Sequence, residues 1–207
     1  MNPVRIALVS AVACLGYRAP ALVAATPHLQ DGDVVFQSWQ SAEGRILDRA
    51  APSRFNQVGL VLLENGLPFV LDAAGPVRLI PFAEWAVRGR YRHFVVKRLR
   101  DADRRLTPEA LARLKAASKD TLGRPYDPAF DDSDSAYYGA ELVWKLYQRA
   151  FGLELGQPLK LRELKLGGAR VRQALAEHYG VVLPLDQPVI TPGGVFDSEL
   201  LAEVGRG

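Results

Sequence analysis

Few side chains in this chain can attack, accept a proton or bind a metal. There is one cysteine, Cys14, and there are three histidines, His28, His93 and His178. A lone cysteine excludes an internal disulfide, and this Cys/His count leaves no zinc-type ligand set. Carboxylate metal ligation is left open by that count, but the acidic stretch Asp127, Asp131, Asp132 and Asp134 lacks the Gly and terminal Glu of a calcium loop. It reads as a solvated loop. No metal and no cofactor is assigned. The hydroxyls of Ser135, Tyr137 and Tyr138 have no base beside them in sequence, and a hydroxyl without a base is a poor nucleophile.

The charge balance narrows the partners. The 207 residues carry 26 Lys+Arg against 23 Asp+Glu. Residues 1–25 hold Arg5 and Arg18 but no acid, so the remainder has 24 basic against 23 acidic residues. A nucleic-acid surface expects a clustered basic stripe with aromatics, whereas here acids and bases are interspersed. Nucleic acid is therefore excluded as a partner.

Met1–Arg5 is a short basic start, Ile6–Gly16 is an uncharged apolar run, and Ala19–Ala25 is rich in small residues. That order is the pattern of a secretory signal, and the apolar run is too short to cross a bilayer. Cleavage after Ala25 suits the small-residue rule. Ala11-Val12-Ala13-Cys14 is also similar to a lipobox, which makes Cys14 the lipidation candidate and a lipid anchor the one expected membrane contact. The expected division is a signal over 1–25 and a domain over 26–207, exported to the periplasm or held as an outer-membrane lipoprotein.

The elements that must position any site follow from periodicity. Asp33–Gln37, Val58–Leu63, Pro68–Ala73 and His93–Leu99 are short, β-branched or aromatic, and punctuated by Gly, Pro or Asn. They predict strands, with a hairpin turn at Glu64-Asn65-Gly66-Leu67. Thr107-Pro108 opens a helix running to Leu122, and further helices are expected over 138–151 and 169–179, each stopped by a glycine. Shorter ones are expected over 81–89 and 198–204. Strands first and helices after predict an α+β domain, a mainly antiparallel sheet with helices packed on one face.

Leu29–Gln37, Ser53–Gly59, Phe69–Val77, Gly123–Asp127, Tyr138–Tyr147 and Val189–Ser198, taken together, resemble the permuted papain-like amidase and peptidase family of YiiX and YaeF, relatives of the NlpC-like peptidases. The resemblance implies a permuted papain-like (NlpC-like) fold. It also implies a catalytic histidine at Gln57, an acidic partner at Asp72 and a nucleophilic cysteine at Gly139. Of the three only the carboxylate is present. Gly139 has nothing to ionise, and the amide of Gln57 does not titrate. The three positions are expected to converge, with Gln57 and Asp72 on neighbouring strands and Gly139 at a helix N-terminus facing them.

The implied function is an inactive family member of the cell envelope, with Gln57, Asp72, Tyr126, Tyr138 and Gly139 as ligand-binding positions. Its implied partner is a small molecule, a cell-wall peptide or an acyl lipid with an amide or ester. The alternatives are an active hydrolase with a relocated nucleophile and a structural envelope protein that kept only the fold.

Overall fold

The computed structural model describes residues 28–39, 51 and 53–207. The signal expected over 1–25, Cys14 included, lies outside the described residues. Six strands form one antiparallel sheet in the order β4-β3-β2-β1-β5-β8. They are β1 (Val34–Gln37), β2 (Gln57–Glu64), β3 (Leu67–Asp72), β4 (Arg78–Pro81), β5 (Phe94–Leu99) and β8 (Leu201–Arg206); β6 (Leu159–Lys160) and β7 (Pro188–Val189) make a separate two-stranded ladder. The β2–β3 hairpin turns through Asn65 (φ 52°) and Gly66 (φ 80°), the pair of left-handed residues that a tight two-residue connection requires.

Alternation along the strands sorts the apolar side chains onto two faces. Val34, Phe36, Val58, Leu60, Leu62, Leu71 and Val95 enter the larger core. Above it lie α3 (Pro108–Thr121), α4 (Gly139–Phe151) and α5 (Ala169–Tyr179), which contribute Leu114, Leu142, Val143, Leu146 and Leu175. Val35, Val61, Val70, Ile80 and Val96 leave the opposite face, where the short α1 (Phe82–Ala86) covers them with Phe82, Trp85 and Ala86. The expectation of helices on one face holds for the long helices, and α1 is what closes the other.

Helix ends follow the local chemistry. Thr107 caps α3 by accepting the Ala110 N–H at 3.3 Å, and Glu141 reaches back from the first turn of α4 to the Tyr138 N–H at 3.4 Å. α4 stops at Gly152, whose φ is 67°.

One expected element is corrected. Residues 198–204 do not form a helix: a short α6 (Pro192–Phe196) precedes them, and Leu201–Arg206 is β8. Leu, Ala and Glu favour a helix locally, but β5 offers an outer edge of unpaired N–H and C=O groups. β8 pairs with it from Leu99↔Leu201 to Val95↔Arg206, and Gly207 exchanges two further hydrogen bonds with Phe94. Pairing that edge outweighs local propensity. The last small helix, α2 (Ala102–Arg105), links β5 to α3.

Candidate functional site

Gln57 is the first residue of β2 and Asp72 the last of β3. The β2–β3 ladder runs only from Glu64↔Leu67 to Leu60↔Leu71, so Gln57, Val58 and Gly59 extend beyond the paired part of β3. Gly139, the first residue of α4, comes against β2 there. A Cβ on Gly139 would lie 2.7 Å from the Val58 carbonyl oxygen, inside normal contact, so any side chain would require a shift of backbone. The helix start thus meets β2 one residue from Gln57. The place of a nucleophile is filled by main chain.

The side chains of Gln57 and Asp72 share one face. Gln57 alternates with Val61 and Asp72 with Val70, which puts both on the α1 side of the sheet, whereas α4 packs on the other. Gln37 lies opposite Gln57 in the β1–β2 register, and Gly89, just after α1, would bring a Cβ to 2.7 Å from its Oε1. The resemblance places Gln57, Asp72 and Gly139 together. The structure sets the buried side chains of Gln57 and Asp72 on the α1 face, while Gly139 meets the β2 main chain from the other face, so the helix start does not face the two side chains as the resemblance implies.

Asp72 is buried and has a new neighbour. Arg88 Nη1 stands 3.9 Å from Asp72 Oδ2, and the Ala74 N–H donates to Asp72 Oδ1 at 3.3 Å. Burial raises the Asp72 carboxyl from 3.8 to about 6, against the opposing pull of the Ala74 hydrogen bond and the Arg88 charge. Where a histidine would be oriented, the acid faces a guanidinium that cannot act as a base at neutral pH. No local pattern in the sequence marks Arg88, because its role depends on α1 folding across the second face.

The two tyrosines are placed on the helix side. Tyr138 is buried, packs edge-on against Phe130 with centroids 5.4 Å apart, and accepts the Ile190 N–H at 3.2 Å. Burial pushes its phenol well above the ordinary value. Tyr126 packs partly buried against the same core and bridges to Tyr137. Beside them Glu141 is raised to about 8 by burial although Lys145 Nζ lies 2.8 Å away. Lys145 also binds the acidic loop, donating to the Asp132 and Ser133 carbonyls at 2.9 and 3.1 Å. That loop is therefore clamped to α4 by a cation rather than merely solvated. Of the histidines, His178 pairs with Asp131 at 3.3 Å and His93 stacks on Phe55. Neither belongs to the Gln57–Asp72 surface.

A two-faced antiparallel sheet, with a helix N-terminus set against the start of β2 where it runs past the end of β3, is the frame of a papain-like hydrolase in permuted chain order. Residues 28–204 match the model of the "permuted papain-like amidase enzyme, YaeF/YiiX, C92 family", and the chain belongs to that family. It is 34% identical to the uncharacterized protein YiiX of Escherichia coli (strain K12) over 177 residues, 86% of each chain. It is also similar to the crystal structure of metalloprotein yiiX from Escherichia coli O157:H7, with a TM-score of 0.76, 34% identity, and coverage of 87% of this chain and 98% of that one. The Gln57–Asp72 face offers no ligand set for a metal: Asp72 faces Arg88, and among the described residues no three His, Cys, Asp or Glu come together.

Proposed function

We propose that this chain is a permuted papain-like family member without cysteine-amidase chemistry, which binds an amide- or ester-bearing ligand at the Gln57–Asp72 surface. The single observation that carries the reading is the 2.7 Å approach between a Gly139 Cβ position and the Val58 carbonyl. Loss of the thiol alone would leave an empty place for it, whereas here the backbone has closed on that place. Gln57 supports the reading independently, since an amide binds through donors and acceptors but takes no proton from a nucleophile. Cell-wall peptides and acyl lipids are the envelope molecules whose amides and esters suit such a surface.

A relocated nucleophile finds no support among the described contacts. Ser135 pairs with Ser133 at 2.7 Å, Tyr137 lies near Arg149, and Tyr138 is buried against Ile190, none beside a histidine. Incubation of the protein with fluorogenic peptide, amide and ester substrates should release no product above buffer. Turnover that survives purification and disappears on Asp72→Asn would overturn the reading. Binding is tested by thermal shift with muropeptides and N-acyl amides, a saturable rise in melting temperature being expected; no rise with any of them would favour a structural role.

The location belongs to the same proposal. Its support is the acid-free, apolar stretch before residue 26. In a Gram-negative host the protein should fractionate outside the cytoplasm, and membrane attachment that is lost on Cys14→Ser would identify a lipid anchor. Uncleaved chain in the cytosol would refute export.

A further inference from the structure

The α1 face carries a cavity of about 470 Å³ lined by Trp39, Arg88, Arg90 and Tyr91. We infer that it is a binding site for an oxyanion, a carboxylate or phosphate, borne on a molecule with a flat ring. The site lies beyond Asp72 on the outer side of Arg88, and it stands whether or not the proposed function does.

Its walls are held in place by main-chain hydrogen bonds. Asn56 pins Trp39 from both sides, accepting the Trp39 N–H at 2.8 Å and donating to the Trp39 carbonyl at 2.9 Å. The Arg90 N–H donates to the Ser38 carbonyl at 2.7 Å, tying the opposite wall to the same segment. Tyr91 and Arg92 both take left-handed backbone, φ 58° and 59°, which non-glycine residues seldom adopt, and the turn leaves Arg90 and Tyr91 exposed. Gly89 admits no side chain there, since a Cβ would lie 2.7 Å from Gln37 Oε1 and 2.8 Å from the His93 carbonyl.

The charge is unevenly matched. Arg88 is held by Glu84 on one terminal nitrogen and has Asp72 at 3.9 Å from the other, and its guanidinium lies over Trp39 at 5.8 Å. Arg90 has no carboxylate partner among the described residues; its guanidinium sits 5.0 Å from the Tyr91 ring. Among the described residues the Arg90 guanidinium thus meets only the Tyr91 ring and hydroxyl, to which its Nη2 donates at 3.3 Å, and its charge faces the cavity unneutralised by an acid. A guanidinium suits the planar or tetrahedral oxygens of a carboxylate or phosphate, and the rings supply stacking surface for the group that carries them.

The test is calorimetric titration of the full chain with phenyl phosphate, benzoate, inorganic phosphate and benzyl alcohol. Phenyl phosphate and benzoate should bind saturably, each about tenfold or more tighter than the bare ion or the uncharged ring. Whichever of the two binds more tightly identifies a phosphate or a carboxylate as the natural group. Arg90→Ala should weaken binding by about tenfold or more, and Trp39→Ala should do the same through loss of the ring. Arg90→Lys should recover part of the loss, with the melting temperature unchanged because Arg90 is exposed. Absence of saturable binding by the folded protein overturns the inference, as does equal binding of benzyl alcohol or indifference to Arg90→Ala. Hydrolysis in the substrate panel would refute the inactive reading and leave this site standing.

Discussion

At the scale of the residue, Gly139 and Asp72 define what this surface can do. A Cβ at Gly139 would meet the Val58 carbonyl at 2.7 Å, and a carbonyl cannot turn aside as a flexible side chain can. Gly139→Ala is therefore expected to destabilise the protein by about 1–3 kcal/mol, the usual cost of overpacking, measured by denaturant unfolding. Gly139→Cys carries the same Cβ and the same cost, so restoring the thiol also means moving β2. A neutral Gly139→Ala would show the place to be open. Asp72 gives a pH signature. Its folded pKa of about 6 lies above its ordinary 3.8, so between those values the folded state holds a proton that the unfolded chain has released. The stability from the protonated form is fully present below about pH 4 and is lost as pH rises through 6. Relative to Asp72→Asn, the wild type should lose on the order of 2–3 kcal/mol between about pH 3.5 and 7. Parallel pH profiles for the two proteins would mean that burial does not shift this carboxyl.

At the scale of the element, α4 is both the largest apolar wedge against the sheet and the helix whose start abuts β2. Its buried residues Leu142, Val143, Leu146, Tyr147 and Ala150 recur at helical spacing, so burying that face sets the rotation at which Gly139 arrives. The far end is set by Gly152, in the left-handed conformation with its N–H donating to the Gln148 carbonyl at 2.9 Å. Gly152→Ala should cost about 1 kcal/mol, read from the unfolding midpoint. A variant as stable as wild type would show that the helix end can rearrange. Trp144 lies at the margin of that buried face. It packs against the core partly buried, and its Nε1 is a buried donor with no hydrogen-bond partner among the described residues.

At the scale of the whole molecule, an ion pair with a buried carboxylate ties the start of β1 to β5, and the residue beside it bonds the helical layer. Asp33, just before β1, is completely buried and accepts hydrogen bonds from Nε and Nη2 of Arg98 on β5, at 2.7 and 2.8 Å. The adjoining Gly32 carbonyl accepts the Tyr147 hydroxyl of α4. Removing the arginine leaves a buried carboxylate without its cation, which is far more costly than the pair is worth. Arg98→Ala is expected to lose about 3–5 kcal/mol in denaturant unfolding. Replacing the pair together, as Asp33→Asn with Arg98→Met, should recover part of that. A loss below about 1 kcal/mol for Arg98→Ala would mean that water reaches Asp33 once the arginine is gone.

The sequence by itself determined whatever depends on neighbours a few positions apart. The Asn65-Gly66 turn, the Thr107 cap, the strands from Val34 to Leu99 and the three long helices with their glycine stops are local consequences of residue type and period. It also decided that Gln57 and Gly139 carry neither imidazole nor thiol, which limits the chemistry whatever the fold. Only the tertiary structure decided the rest, because each remaining feature joins segments far apart in the chain. β8 is a strand because β5 has an edge to pair, although Leu, Ala and Glu locally favour a helix. Arg88 reaches Asp72, and Asn56 pins Trp39, through strand pairing and the crossing of α1. Gly139 meets Val58 because the β2–β3 ladder ends at Leu60↔Leu71 as α4 arrives. Local pattern sets which elements form, whereas side-chain alternation in a shared sheet and the packing of helices on its two faces set which residues meet.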